Sequence, residues 1–281
     1  MPLFLRALPS LLISAAFIAG LPVFNAAAAS ISLKNEVIEV RGELKPGDAD
    51  RFNELISADV RVLRIRSQGG DLQEALRIGQ SVLSRNLEVE VAGLCVSACA
   101  QLVLPGAKTV RLDDGSIVAM HAAAQGAFMS AQREGSIPAS THPALSRAIK
   151  QLAKLDEEMK AFFLASGVRM EAMQFMYELT SMTHVQVLFD ETSEDAGRLQ
   201  LTGVQSPLCR AWLLDGATLQ SLGIRANAWR PAGRFKASLV MSEKYDQIYD
   251  GQVIPLAGVQ PGTTCAALRR TGRATAAAGE R

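Results

Sequence analysis

The sequence has almost no excess of charge of either sign, and this limits the partners that it can attract. Its 281 residues include 29 Lys and Arg against 28 Asp and Glu, for a formal net charge of +1 at pH 7. A balanced chain has no long-range field that would recruit nucleic acid or an anionic membrane, so we expect neither as a partner. Arg61, Arg64 and Arg66 alternate with apolar residues, which favours the solvated face of a strand over a phosphate-binding patch.

Two common catalytic motifs and the usual zinc-binding spacing are also missing. The chain contains neither a GxxxxGKS or GxxxxGKT phosphate loop nor an HExxH metal helix. Four cysteines are present, and the CxxxC spacing of Cys95 and Cys99 is a poor match to the CxxC pairs of zinc sites. We therefore expect no metal and no other cofactor.

Residues 1–29 have the order of a secretory signal peptide. Arg6 gives a weakly positive start, an apolar run covers 11–24, and 26–29 supplies small residues for cleavage. The run is shorter than the about 20 apolar residues of a spanning helix, which favours cleavage over an uncleaved membrane anchor. We predict an exported, periplasmic protein, a setting in which cysteines form disulfides by default.

The spacing of apolar residues predicts alternating strands and helices. Strands are predicted at 31–41, 60–66, 87–93, 110–112 and 116–121, and helices at 48–56, 72–83, 98–104, 145–162 and 169–179. The β-α-β-α-β order in the first half favours an α/β fold with a parallel-rich sheet and right-handed crossovers. Small and polar residues predict a surface loop at 122–144, and 269–281 is predicted to be disordered.

Ser97, in the stretch GLCVSACAQLVL, lies where an apolar strand pattern changes into a helical one. Its hydroxyl would lie at the carboxyl edge of the sheet, where open α/β sheets bind ligands. The amide of Ala98 would point outward there as a hydrogen-bond donor. A serine at this position is as consistent with a helix N-cap as with a nucleophile.

Gly69 and Gly70, in the stretch SQGGD, follow the preceding strand in the same way. Exposed N–H groups in such a turn, close to a helix N-terminus, can stabilise a developing oxyanion. An ordinary strand-to-helix turn would need the two glycines equally. Among the three histidines, His121 ends a predicted strand and can face the edge at which Ser97 emerges, whereas His142 and His184 are less well placed.

Three stretches carry a resemblance to a known family: LRIRSQGGDLQEALRIGQSV, VAGLCVSACAQLVLPGAKTVRL and IVAMHAA. They resemble the proteolytic subunit of Clp protease and its exported relatives, within the Clp/crotonase superfamily, over residues 31–204. The resemblance implies repeated β-β-α units with a parallel-rich sheet and a long projecting helix that builds homo-oligomers. It also implies that Ser97 is the nucleophile, that His121 is the base, and that the amides of Gly70 and Ala98 form the oxyanion site.

The sequence departs from the family at several positions. SQGG replaces the family's SPGG, and the alignment places the triad acid near Leu188, which cannot serve, with Asp190 two positions away. Asp190 is therefore our candidate acid. A Ser–Lys dyad, as in signal-peptide peptidases of the superfamily, lacks an obvious lysine, since Lys108 lies in the turn after the serine helix. Export would also separate the protein from a cytosolic unfoldase and from ATP.

We predict an exported, ATP-independent serine hydrolase, most simply a peptidase acting on a peptide or protein substrate. One alternative is a catalytically degenerate Clp-like protein that serves as a periplasmic binding or assembly module. Crotonase-like acyl-thioester chemistry is disfavoured, because coenzyme A substrates belong to the cytosol.

We divide the chain into a signal peptide at 1–29, a Clp/crotonase-like domain at 30–204 and a small C-terminal appendage at 205–281. Cys209 and Cys265 bracket most of the appendage, and we predict a disulfide between them. For Cys95 and Cys99, a bridge and two small buried apolar side chains are equally consistent with the sequence.

Overall fold

The computed structural model describes residues 28–113, 115–121, 143–169, 182–189, 199–205, 211–227, 238–241 and 252–255. The described strands are β1 (Ser30–Lys34), β2 (Val37–Arg41), β3 (Val62–Ser67), β4 (Glu88–Val96), β5 (Thr109–Leu112), β6 (Ile117–Met120), β7 (Met182–Phe189), β8 (Leu199–Gln205), β9 (Ala211–Leu214), β10 (Ser238–Met241) and β11 (Gln252–Pro255). The described helices are α1 (Asp48–Leu55), α2 (Leu72–Ser84), a π-helical turn (Cys99–Val103), a 3-10 turn (Leu104–Gly106), α3 (Pro143–Ser166) and α4 (Gly216–Ser221).

The main sheet is parallel at its centre and antiparallel at both sides. Its strand order is β1-β2-β3-β4-β6-β9-β10-β11, and β5 also pairs with β4. The ladders from β2 to β6 that pass through β3 and β4 are parallel, while β1 and β9 to β11 pair antiparallel with their neighbours. The predicted α/β fold with a parallel-rich sheet is confirmed. Strands β7 and β8 form a separate antiparallel pair.

The single strand predicted at 31–41 is wrong, because this segment is a hairpin of β1 and β2. Lys34 pairs with Val37, which leaves Asn35 and Glu36 as a two-residue turn, with φ values of 46° and 65°. Turns of this length need left-handed residues because their twist then matches that of the strands. Asn favours this conformation but Glu does not, so the turn lacks the usual residue signature. The shift of the apolar residues from Ile31 and Leu33 to Ile38 and Val40 was the signal that the prediction of one strand missed.

Helix α2 covers the sheet with the face that its apolar spacing predicted. Ala75, Leu76, Ile78 and Val82 are buried in the core, and Asp71 caps the helix by accepting hydrogen bonds from the N–H groups at 73 and 74. The helix therefore begins where the glycine turn ends. This fixes the turn at the carboxyl edge of β3.

Helix α3 begins and ends beyond the predicted bounds of 145–162. Phe162 and Phe163 near its C-terminal end are buried, and Leu155 and Met159 pack partly against the core. The apolar stripe of the helix therefore serves first to cover this part of the core. None of the described helices is long and apolar enough to cross a membrane.

The outer face of the parallel strands carries paired charges, as predicted for a solvated face. Arg64 of β3 forms ion pairs with Glu90 at 3.8 Å and Asp113 at 3.0 Å, and Arg111 of β5 approaches Glu90 at 2.8 Å. Arg64 is therefore paired with carboxylates of the same chain rather than presented to an external phosphate.

Several predictions fall outside the described residues: the signal peptide to residue 27, nearly all of the loop at 122–144, the helix at 169–179 and the tail at 269–281. The boundary between the two predicted domains stays a prediction. Beyond it, β9 pairs with β6 in the main sheet through the partners Ala119 and Leu213.

Candidate active site

Two parallel strands bring Ser97 and His121 to the same edge of the sheet. The first half of β4 pairs with β5 and its second half pairs with β6, where Val96 lies opposite Ala119. Ser97 directly follows β4, and His121 directly follows β6. Because parallel neighbours end at a common edge, the two residues that the sequence selected as nucleophile and base are adjacent in the fold.

Ser97 occupies a sharp turn between strand and helix. Its φ of 57° is left-handed, a conformation that costs a non-glycine residue roughly 1–2 kcal/mol. Two backbone hydrogen bonds hold it: the Ser97 N–H donates to the Ala119 carbonyl at 2.9 Å, and the Gln101 N–H donates to the Ser97 carbonyl at 2.9 Å. The side chain is half-buried. A strained serine at a strand-to-helix turn is the geometry in which hydrolases present a nucleophile.

The glycine turn between β3 and α2 packs directly on Ser97. A Cβ at Gly69 would lie 2.8 Å from the Ser97 Cβ and 2.9 Å from the Ala98 nitrogen, so no larger residue fits there. Gly69 and Gly70 have φ values of 95° and 129°, which L side chains rarely adopt. The turn in SQGGD therefore requires both glycines on two grounds, backbone conformation and close approach.

The same turn is anchored on both sides. The buried Ser67 hydroxyl accepts a hydrogen bond from the Gly69 N–H at 3.0 Å. Leu44 donates its N–H to the Gly69 carbonyl at 2.7 Å and accepts from the Asp71 N–H at 2.8 Å. Ser67 and Leu44 were not selected from the sequence. The available signal for Ser67 was a serine two residues before Gly69, at the end of the strand.

The amides of Gly70 and Ala98 are the candidate oxyanion donors. Within the described part of the chain, neither N–H donates a hydrogen bond to another protein group. Gly70 precedes α2, and Ala98 precedes the π-helical turn. Unpaired N–H groups at helix N-termini can stabilise negative charge that develops on a carbonyl oxygen.

His121 is buried, and Gln101 of the π-helical turn after Ser97 forms a hydrogen bond with its backbone. The Nε2 of Gln101 donates a hydrogen bond to the His121 carbonyl, and Gln101 is 1% exposed. This contact fixes the backbone of the candidate base relative to the turn that carries Ser97. The sequence reasoning missed Gln101. Its signal was a single polar residue inside an otherwise apolar buried stretch.

The structure tests the remaining candidates only in part. Asp190 and His142 lie outside the described residues, so the acid of a triad stays a prediction. His184 lies in β7 opposite Val204. No group of three or more His, Cys, Asp or Glu side chains in the described residues could hold a metal ion.

Cys95 and Cys99 form a disulfide on either side of Ser97. Their Cα atoms are 5.4 Å apart, and both residues are fully buried. Of the two alternatives that the sequence left open for this pair, the bridge is therefore correct. Cys209 and Cys265 lie outside the described residues, and their bridge stays a prediction.

No protein-family model and no curated protein matches the chain. Among solved structures, a mutant of ClpP1 from Listeria monocytogenes is similar at 14% identity over 70% of this chain and 93% of that chain, with a TM-score of 0.38. A membrane-bound stomatin-specific protease is similar at 14% identity over 29% and 44% of the two chains, with a TM-score of 0.25. Methylmalonyl CoA decarboxylase is similar at 12% identity over 34% and 48%, with a TM-score of 0.27, so the match spans about half of that enzyme.

Proposed function

We propose that the protein is a serine hydrolase, and specifically a peptidase that works without ATP outside the cytosol. The observation that carries the proposal is the left-handed Ser97 at a strand-to-helix turn, with the glycine turn packed against it. A helix N-cap accounts poorly for this arrangement, because N-cap residues other than glycine typically have extended backbone. The strain at Ser97 favours a residue that is presented for chemistry.

In the proposed reaction, the Ser97 Oγ attacks the carbonyl carbon of a peptide bond while His121 takes the hydroxyl proton. The electron pair of the carbonyl moves to its oxygen, which the amides of Gly70 and Ala98 stabilise. Collapse of this intermediate breaks the C–N bond, and His121 returns the proton to the leaving amine. Water then hydrolyses the acyl-enzyme by the same steps. Asp190 is our candidate for orienting His121.

The proposed location outside the cytosol rests on the predicted signal peptide at 1–29. A cleaved signal peptide would place the protein in the periplasm, where neither ATP nor a cytosolic unfoldase is at hand. Its substrate would then be a peptide or an already unfolded segment of protein. We further propose a homo-oligomer assembled through α3, whose half-buried Ile149 and Leu152 lie on the N-terminal side of the residues that pack on the core.

Labelling with a fluorophosphonate tests the proposal most directly. The Ser97 Oγ–P bond should form with loss of fluoride, and mass spectrometry should locate the adduct on Ser97. Ser97→Ala should abolish labelling, and Ser57→Ala, which changes an exposed serine elsewhere, should not. His121→Ala should lower the labelling rate by roughly 10²–10⁴-fold, the usual contribution of a general base. An unlabelled but folded wild type would exclude the hydrolase and favour the binding-module alternative.

A further inference from the structure

The disulfide between Cys95 and Cys99 encloses the candidate nucleophile. Cys95 is the penultimate residue of β4, and Cys99 is the first residue of the π-helical turn. Ser97 is the middle residue of the closed segment, and its φ is 57°. The bridge therefore spans the one stretch of backbone whose conformation decides where the Ser97 hydroxyl and the Ala98 amide lie.

The bridge restricts the paths that this segment can take. Four residue steps of extended strand would separate the two Cα atoms by roughly 13 Å. Their separation in the structure is 5.4 Å, and a disulfide rarely tolerates more than about 7 Å. With the bridge formed, the segment from Cys95 to Cys99 cannot be fully extended. The chain must leave the extended conformation within this segment, whether or not the rest of the domain is tightly packed.

Burial indicates whether the bridge is a permanent tie or a reversible switch. Cys95 and Cys99 are both 0% exposed, within a core that includes Ala98 and Leu102. Thiol–disulfide exchange needs a thiolate to approach one sulfur in line, and here it could do so only after local opening. Exposure makes a disulfide labile, so the burial of this one favours a permanent tie.

We propose that Cys95 and Cys99 are positioning residues for Ser97, and that their bridge holds the nucleophile and the Ala98 amide in register with the glycine turn. This inference rests on the proposed hydrolase function. The bridge forms when the two thiols lose two protons and two electrons to a disulfide-containing oxidant, such as glutathione disulfide or an oxidised thiol oxidoreductase. Without it, the segment can open, and Ser97 can exchange its left-handed conformation for the more stable extended one.

The test compares Cys95→Ala/Cys99→Ala with wild type and with Cys209→Ala/Cys265→Ala, which removes the other two cysteines. Fluorophosphonate labelling is followed over a range of probe concentrations, so that the maximal rate and the half-saturating concentration are separated. We expect the first variant to lose about 10–100-fold in maximal rate, the range that a displacement near 1 Å produces. Its half-saturating concentration should change less than threefold, because the probe's binding surface is retained.

A second measurement shows whether loss of the bridge alters the segment around Ser97 alone or the whole fold. It also separates failure of the positioning role from failure of the hydrolase proposal. Amide hydrogen exchange is compared in oxidised wild type and in wild type refolded under dithiothreitol, which has the same side chains but free thiols. We expect faster exchange in residues 94–104, including the Ser97 N–H that donates to Ala119, and little change in α1. Brief dithiothreitol treatment of the native protein should leave labelling unchanged, since the bridge is buried.

Equal maximal labelling rates with and without the bridge would overturn the positioning role while leaving the hydrolase intact. Absence of labelling in oxidised wild type would overturn the hydrolase. If amide hydrogen exchange over residues 94–104 were also the same with and without the bridge, the claim that the bridge holds the backbone around Ser97 would be overturned as well. Rapid loss of labelling under brief dithiothreitol would contradict a permanent tie and identify the bridge as a switch.

Discussion

Replacing Gly79 by alanine should destabilise the protein, although the same substitution usually stabilises a helix. Gly79 lies inside α2, where alanine is favoured over glycine by roughly 1 kcal/mol. In this fold, however, a Cβ at Gly79 would lie 2.0 Å from the carbonyl oxygen of Leu102. A backbone oxygen cannot rotate away as a side chain can. The helix and the π-helical turn would have to separate by about 1 Å.

The sign of the net effect follows from these two magnitudes. Overpacking of this kind costs roughly 1–3 kcal/mol, and the backbone contact places Gly79→Ala at the upper end. Subtracting the gain of roughly 1 kcal/mol in helix propensity leaves a net loss of about 2 kcal/mol. Because α2 follows the oxyanion turn and Leu102 lies in the helix after Ser97, the separation should also lower fluorophosphonate labelling by up to about 100-fold.

Urea denaturation followed by circular dichroism measures the first effect, with Gln80→Ala as the control. Gln80 is the next residue of α2 and is exposed, so its substitution should change stability by no more than about 0.5 kcal/mol. A Gly79→Ala protein as stable as wild type, or more stable, would show that propensity outweighs the close approach of the two helices. The contact between α2 and the π-helical turn would then not limit the residue at position 79.

Three further predictions concern the base, the surface charges and the assembly. Gln101→Leu removes the donor to the buried His121 carbonyl, and should cost about 1–3 kcal/mol in urea denaturation and slow labelling as well. The hydrogen bond from Arg77 lowers the pKa of Asp50, so Asp50 contributes stability above its unfolded pKa and loses it as the pH falls through the lowered pKa. The stability difference between wild type and Asp50→Asn should therefore shrink below pH 4 and in 1 M salt, and a constant difference would contradict this. Ile149→Lys should reduce the mass measured by light scattering, and a wild type that stays monomeric at high concentration would exclude the oligomer.

Much of the fold could be predicted because burial of apolar residues sets its periodicities. The change from alternation in β3 to helical spacing in α2 marked the turn at SQGGD, and the turn is where the pattern placed it. The hairpin at Asn35 and Glu36 could not be predicted in the same way. Its turn contains no glycine and includes Glu36, which disfavours the left-handed conformation. The shift of the apolar residues from odd positions in β1 (Ile31, Leu33) to even positions in β2 (Ile38, Val40) therefore passed as one irregular strand.

The contacts that complete the site were harder to predict, since they depend on distances between segments far apart in sequence. Gln101 meets His121 only because β4 and β6 are parallel neighbours, and Leu44 anchors the glycine turn only because β2 lies beside β3. Periodicity identifies which side of an element faces the core, but not which side chain on the next element lies opposite. Single polar residues in apolar stretches are the exception, because burial without a partner is costly.

The pairing of Cys95 with Cys99 shows why a short spacing can remain undecided until the backbone is known. In a continuous strand the two sulfurs could not meet, because four extended steps separate their Cα atoms by roughly 13 Å. They come together because the chain leaves the strand at Ser97, which has the left-handed conformation, and starts the next helix directly afterwards. The disulfide and the left-handed serine are therefore compatible with the same sharp turn. A sequence that places a small residue midway between two cysteines, at the end of a buried strand, contains the elements of both.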